Sequence, residues 1–168
     1  EDLFMPQMMP EYKTSPVIQR YNDGAPVLSA KDIPYQADCV FNAGVAKYEG
    51  KYVMVFRNDY GSIPGRGFRG CNLGIAFSED GKKWSVRKKP FLTAGDMGDP
   101  EITRVYDPRL TILDGRAYLC FAVDTKHGLR GGIAVTEDFE NIEVLSMTVP
   151  DNRNMVLFPE KIHDRYVR

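Results

Sequence analysis

A block of apolar residues folded about a two-residue turn occurs more than once along this chain. Val45-Ala46-Lys47-Tyr48 and Tyr52-Val53-Met54-Val55-Phe56 flank Glu49-Gly50, and Leu110-Thr111-Ile112-Leu113 and Ala117-Tyr118-Leu119-Cys120-Phe121 flank Asp114-Gly115. Asp-Gly between two apolar runs is a strong β-hairpin signal, and Glu-Gly a weaker one. The two hairpins are offset by 121 − 56 = 65 residues, and downstream of each a second segment repeats. Gly74-Ile75-Ala76-Phe77-Ser78-Glu79-Asp80 returns as Gly132-Ile133-Ala134-Val135-Thr136-Glu137-Asp138, an offset of 132 − 74 = 58. A third copy of the hairpin pattern begins at Leu157 and runs through Val167. Each unit predicts a strand, a tight turn, a strand, a longer loop, a strand ending in Ser/Thr-Glu-Asp, and a further strand. No helical periodicity extends beyond two turns, so the fold class is all-β.

Four strands in roughly 60 residues, repeated, is the signature of β-propeller blades. The run Ser78-Glu79-Asp80-Gly81-Lys82-Lys83-Trp84 is similar to the Asp-box turns of sialidase-like propellers. A β-sandwich also has short strands at this spacing, but it does not predict the copied strand-and-turn pair. Two units and the opening of a third fall short of the typical four to eight blades. The 168 residues are therefore expected to be part of a longer protein whose further blades close the ring.

Composition narrows the class. Apolar residues make up 43% and charged residues 27% of the chain, as in a folded globular protein. A net charge of −1 argues against a nucleic-acid or anionic-membrane partner. No apolar run approaches the roughly 20 residues that span a bilayer. The first residues, Glu1-Asp2-Leu3-Phe4-Met5, show no signal-peptide pattern. Cys39, Cys71 and Cys120 are odd in number and form no C-x-x-C pair, which suits reduced thiols on strands and a cytoplasmic protein. His127 and His163 are too few and too scattered for a zinc motif, so no metal is expected.

The inner strand of each propeller blade lines the central channel, so polar residues at the unit openings are the first candidates for chemistry. These are Phe41-Asn42, Tyr106-Asp107 and Arg153-Asn154. Turn duty is the competing explanation, evenly matched for Asn42 and weaker for Asp107. Asp107-Pro108 is the sharpest case: the proline interrupts the ladder and biases Asp107 to extended geometry. A carboxylate near the axis of such a channel can serve as a general acid. Asp99, Glu101, Asp114 and Asp124 compete on charge but sit nearer to expected turns. Arg57-Asn58-Asp59 fits either sugar hydroxyls or a surface turn. Gly65-Arg66-Gly67-Phe68-Arg69-Gly70 matches G-x-G-x-x-G, but a strand follows it where a dinucleotide fold needs a helix. It is expected to be a flexible loop reaching over the site. Arg87-Lys88-Lys89 reads as a solvated face.

Four segments then occur in a telling order: Phe41-Asn42-Ala43-Gly44, Val55-Phe56-Arg57-Asn58-Asp59, Tyr106-Asp107-Pro108-Arg109-Leu110-Thr111, and Asn152 to Lys161 around Leu157-Phe158-Pro159-Glu160. Together they resemble glycoside hydrolase family 130, a group of five-bladed β-propellers that includes inverting β-mannoside phosphorylases. The likeness runs from about Pro16 onward. It implies that residues 1–168 are the N-terminal part of a single catalytic propeller, supplying about two and a half blades, with 1–15 as an extension. By this resemblance Asp107 matches the single catalytic acid. Asn42, Arg57, Asp59 and Tyr106 match positions around the mannosyl unit and its neighbour, and Arg153 one of the residues that hold phosphate.

The residue types agree with that chemistry. An inverting glycosidase pairs its acid with a base that activates water. A phosphorylase dispenses with the base, because phosphate is already an anionic nucleophile, and needs a basic cradle in which arginine supplies forked donors. The expected reaction is phosphorolysis of a β-1,4-mannoside such as mannosyl-glucose to α-mannose 1-phosphate. The expected partners are the oligosaccharide and inorganic phosphate as co-substrate, with no cofactor; a homo-oligomer stays open. The rivals are a β-mannoside hydrolase of the same propeller family and a non-catalytic glycan-binding or truncated propeller.

Overall fold

A computed structural model describes residues 21–168; the extension expected at 1–15 lies outside them. Two four-stranded antiparallel sheets follow one another. The first contains β1 (Cys39–Tyr48), β2 (Lys51–Ile63), β3 (Gly67–Ser78) and β4 (Ser85–Val86); the second contains β5 (Ile102–Leu113), β6 (Arg116–Thr125), β7 (Gly128–Thr136) and β8 (Glu143–Met147). In both sheets the strands pair in chain order. Short 3-10 turns at Tyr21–Gly24, Ala30–Asp32 and Ala94–Met97 precede the sheets or join them.

The tight turns fall where the dipeptides predict. Glu49-Gly50 and Asp114-Gly115 take positive φ at both residues (48° and 83°, 51° and 74°), the backbone whose twist matches a two-residue hairpin. The third copy repeats the turn at His163-Asp164, with φ of 50° and 59°. There the hairpin is reduced to the Ile162–Arg165 bridge and the Phe158 N–H to Val167 carbonyl bond of 2.8 Å.

The expected longer loop between the second and third strand of each unit is absent. β2 pairs with β3 out to Ile63 and Gly67, and β6 with β7 out to Thr125 and Gly128. The G-x-G-x-x-G segment is thus largely strand, closed by a turn at 64–66, and not the flexible loop expected from its glycines. The segment is held by the ladder and by the Ser62 N–H, which donates to Asp38 at 2.9 Å. From Phe56 to Gly74 is 18 residues, from Phe121 to Gly132 is 11, and the difference of 7 is the difference between the two repeat offsets. The first sheet carries its extra length in this hairpin.

The recurring glycine of the Gly-Ile-Ala motif is explained by its cross-strand partner. Phe56 pairs with Gly74 and Phe121 with Gly132, each ring lying over a glycine. A Cβ there would come within 2.2 Å and 2.4 Å of the ring.

Strand alternation divides the residues between two faces. Val53, Val55, Leu73 and Ile75 from the first sheet meet Val105, Leu119, Phe121 and Val123 from the second in one core. Met54, Phe56 and Ala76 face the other way, against Ile33. At one end of the interface Tyr48 reaches across, its hydroxyl donating to the carbonyls of Gly115 (3.1 Å) and Glu137 (2.8 Å) while its ring meets Phe139 edge-on.

The Asp-box likeness holds in hydrogen bonds. Asp80 accepts from the amides of Lys82 and Lys83, and Asp138 from those of Glu140 and Asn141, all at 2.8–2.9 Å. Trp84 anchors the first turn by donating to the Gly81 carbonyl.

Two consequences are measurable. At Gly44 the inner strands approach so closely that a Cβ would lie 2.7 Å from the Leu110 backbone nitrogen. Gly44→Ala is expected to cost about 1–3 kcal/mol in urea unfolding, the usual range for overpacking. Backbone amides hold the Asp80 and Asp138 carboxyls down at about 2. Both are depressed in the fold, so their contribution is present above the ordinary carboxylate range and lost as pH falls through about 2. The Asp80→Asn, Asp138→Asn double variant should lose less melting temperature between about pH 4 and pH 2 than the parent does.

Candidate active site

The end of the interface opposite Tyr48 is polar. Alternation continues from Val53 and Val55 to Arg57 and Asp59, which therefore face the second sheet instead of forming a surface turn. Asn58 points to the other face, fully buried, and donates to the Gln36 carbonyl and to Asn72.

A bulge in each inner strand turns the candidate residues toward this cluster. Register shifts lie between Phe41 and Gly44 in β1 and between Tyr106 and Arg109 in β5. At each bulge the Asx residue is left-handed, with φ of 49° at Asn42 and 52° at Asp107. Asn154, at the opening of the third unit, has φ of 64°. Asn and Asp tolerate this region better than other non-glycine residues. Asp107 is thus not in the extended geometry that its following proline favours. The bulge overrides that bias, and its carboxylate is fixed by contacts from the first sheet. Strain of this kind is characteristic of functional sites.

The contacts converge on one oxygen. Asp107 Oδ1 accepts from Asn42 Nδ2 at 2.8 Å and from Arg57 Nη1 at 3.1 Å. The Asp107 side chain keeps 14% of its surface exposed, so it is open to a ligand. Arg57 is held from every side. Its Nε and Nη2 donate to the two oxygens of Asp59 at 2.9 and 2.8 Å, a bidentate pairing that fixes the guanidinium plane. The rings of Phe41 and Tyr106 lie 4.7 and 4.9 Å from its central carbon. Three of its five N–H groups are used, and one on each terminal nitrogen remains for another acceptor.

Arg104 and Asp124 extend the cluster into the second sheet. Arg104 stands 3.6 Å from Asp59 through Nη2 and 3.9 Å from Asp124 through its buried Nε, which has no hydrogen-bond partner among the described residues. Tyr106 donates to Asp124 at 2.6 Å. Burial, then the bond to Asp124 and its charge, push the Tyr106 phenol up to about 12 against the opposing influence of Arg153. Burial alone would raise the Asp59 carboxyl, but the bonds from Arg57 and Cys71 and the charges of Arg57 and Arg104 lower it on balance. Burial pulls Arg57 down, and its bonds to Asp59 and Asp107 with the surrounding negative charge more than reverse this.

Of the expected residues, Asn42, Arg57, Asp59, Tyr106 and Asp107 come together in one cluster. Arg153 stands exposed beside Tyr106. Arg104 is not among the expected residues, and Asp124, expected near a turn, sits inside β6. Repeat arithmetic marks Asp124, since 59 + 65 = 124. Nothing in the pattern singles out Arg104.

Two successive four-stranded meanders, packed face on face with their inner strands adjacent, are blades of a β-propeller. The sequence model of glycoside hydrolase family 130, described as β-1,4-mannooligosaccharide phosphorylase, matches residues 10–168. The chain belongs to this family. It is 32% identical over 161 residues to a β-1,4-mannooligosaccharide phosphorylase of Ruminococcus albus, a match covering 90% of this chain and 45% of the relative. The structure of the β-1,2-mannobiose phosphorylase of Listeria innocua in complex with β-1,2-mannobiose superposes with a TM-score of 0.72 at 21% identity, over 86% of this chain and 55% of that one. A second family 130 structure, from work describing glycoside hydrolases that target β-1,2-mannosidic linkages in Candida mannan, gives a TM-score of 0.62 at 21% identity over 75% and 40%. These are five-bladed propellers, and the present chain supplies two blades and the opening of a third. The chain spans about half the length of curated relatives that it matches. Among the described residues no helix is long and apolar enough to cross a membrane.

The thiols offer a check on the packing of the site. Cys71 lies buried beside Asp59, and burial pushes it up to about 12; Cys120 is buried too, and Cys39 is exposed. Thiol titration with Ellman's reagent at about pH 8, below the ordinary thiol range, should find Cys39 reactive in the native state. Cys71 and Cys120 should follow only on unfolding.

Proposed function

We propose that the protein carrying this chain is an inverting phosphorylase of β-mannosides. It cleaves a β-1,4-mannoside such as mannosyl-glucose with inorganic phosphate to give α-mannose 1-phosphate and the released sugar. The observation that carries the reading is the half-buried Asp107 carboxylate, aimed by Asn42 and Arg57 from the neighbouring blade. Family membership and the β-1,4-specific relative support the substrate class.

In this reading Asp107 delivers a proton to the departing glycosidic oxygen, directly or through a sugar hydroxyl. Asn42, the free N–H groups of Arg57 and Tyr106 bind the mannosyl unit, and Asp59 serves them by holding Arg57. Arg153 contributes to the phosphate cradle. Phosphate attacks the anomeric carbon from the face opposite the leaving group, the glycosidic bond breaks, and the configuration inverts. No base is required, because the nucleophile arrives as an anion. Asp59, with both oxygens on Arg57, is not placed to activate water. A hydrolase is the second reading, favoured by the hydrolases described within the family.

The natural polypeptide that carries this chain should be incubated with mannosyl-glucose, β-1,4-mannobiose and β-1,2-mannobiose, each with and without phosphate. Phosphate-dependent mannose 1-phosphate from the β-1,4 substrates is expected, and Asp107→Asn should lower kcat by about 10²- to 10⁴-fold, the usual value of a general acid. Free mannose released without phosphate would establish the hydrolase instead, and preference for β-1,2-mannobiose would move the linkage.

A further inference from the structure

Asp59, three residues beyond the apolar Phe56–Gly74 pair, is the most deeply buried carboxylate of the cluster, at 1% exposure. An ionised carboxylate is costly to bury unless it is paired and hydrogen-bonded. Here both oxygens accept from one guanidinium, Arg57, and Oδ2 also faces Arg104 of the second blade at 3.6 Å. Charges then alternate through the interface in the order Asp107, Arg57, Asp59, Arg104, Asp124. An oxygen enclosed in this way is not presented to a sugar.

We propose that Asp59 is a positioning residue, clamped between Arg57 and Arg104, which sets the orientation of Arg57 and through it the aim of Asp107. This deepens the phosphorylase reading and rests on it for its kinetic consequences. The geometry explains why the clamp matters. Phe41 and Tyr106 crowd Arg57, with ring centroids 4.7 and 4.9 Å from its central carbon, but such contacts supply no directional bond and leave the cation free to rotate. The bidentate bond to Asp59 removes that rotation. Only then does Nη1 lie 3.1 Å from Asp107, with the remaining N–H of each terminal nitrogen facing a fixed direction. Arg104 backs the carboxylate from the far side, so the aim of the acid depends on how the two blades are docked. Hydrogen bonds from Arg57 and the nearby cations keep Asp59 ionised against the effect of its burial.

The test separates positioning from direct contact with sugar. In the natural polypeptide, Asp59→Asn retains shape and loses the second acceptor. A misaimed acid should cost about 100-fold in kcat/KM, the order expected of a misplacement near 1 Å. The loss should fall on kcat, with the KM for mannoside within about threefold of the parent. Arg104→Ala should change kcat in the same direction and less, and Arg104→Lys should restore part of the loss. In nitrogen-15 arginine spectra the Arg57 Nε–H signal should exchange slowly in the parent and faster in Asp59→Asn. A rise in mannoside KM with kcat retained would mean that Asp59 touches the sugar, and would overturn the proposal. So would an Arg57 signal that Asp59→Asn leaves unchanged. If Asp59→Asn does not fold, Arg104→Ala decides by the same readouts. If the parent turns over no mannoside, the phosphorylase reading fails, and the Arg57 signal alone decides whether the clamp exists.

Discussion

A guanidinium with two aromatic rings close to its central carbon and carboxylates on Nε, Nη2 and Nη1 is held in one orientation, and Arg57 is in that position. The constraint is expressive because its components come from different blades. Phe41 and Asp59 belong to the first, and Tyr106 and Asp107 to the second. If the two sheets slid by one strand register, Asp107 would leave the reach of Arg57, and its Oδ1 would keep neither of its donors. The docking of the blades and the aim of the acid are therefore one problem, solved by the same contacts.

The docking is secured at both ends of the interface and by different physics. At the site end, charged side chains in a partly buried cluster supply directional bonds, at the cost of taking those charges out of water. At the far end the Tyr48 ring packs edge-on against Phe139 while its hydroxyl bridges two carbonyls of the second blade, a contact with little charge to desolvate. Between them lies the apolar core of alternating valine, leucine and isoleucine. The core brings the sheets together without selecting a fine alignment, since dispersion and burial are non-directional. The polar and aromatic contacts at the ends do the selecting.

Much of this architecture was legible in the chain. The Asp-Gly and Glu-Gly turns, the repeat offsets and the Ser/Thr-Glu-Asp turns each depend on local chemistry, and each appears where its residues predict. Asn42 and Asp107 were also visible, because they recur at the same point of successive units. What escaped was of two kinds. Arg57-Asn58-Asp59 fits a sugar site or a surface turn equally, and Gly65 to Gly70 reads as a loop, because polar and glycine content hides the pairing that keeps Arg57 to Asp59 in β2 and Gly67 to Gly70 in β3. Arg104 escaped because its role lies entirely in what faces it across the interface. A proline after Asp107 signalled extended backbone, and only the bulge, a property of two strands together, reverses that.

Repetition explains how one backbone plan yields an asymmetric site. Phe41 and Tyr106 are the same position of successive blades, since 41 + 65 = 106, and so are Asn42 and Asp107. Equivalent positions thus supply both rings beside Arg57 and both partners of the 2.8 Å bond between Asn42 and Asp107. The same offset places Ala122 where the first blade has Arg57, and Asp124 where it has Asp59. The second carboxylate, left without its own arginine, takes the Tyr106 hydroxyl instead. An arginine at this position of one blade and an alanine at the same position of the next is enough to distinguish them. The left-handed bulge supplies both blades with an inward-turned Asx residue, but among the described residues only Asp107 of the two carries a carboxylate and has a guanidinium from the preceding blade to aim it.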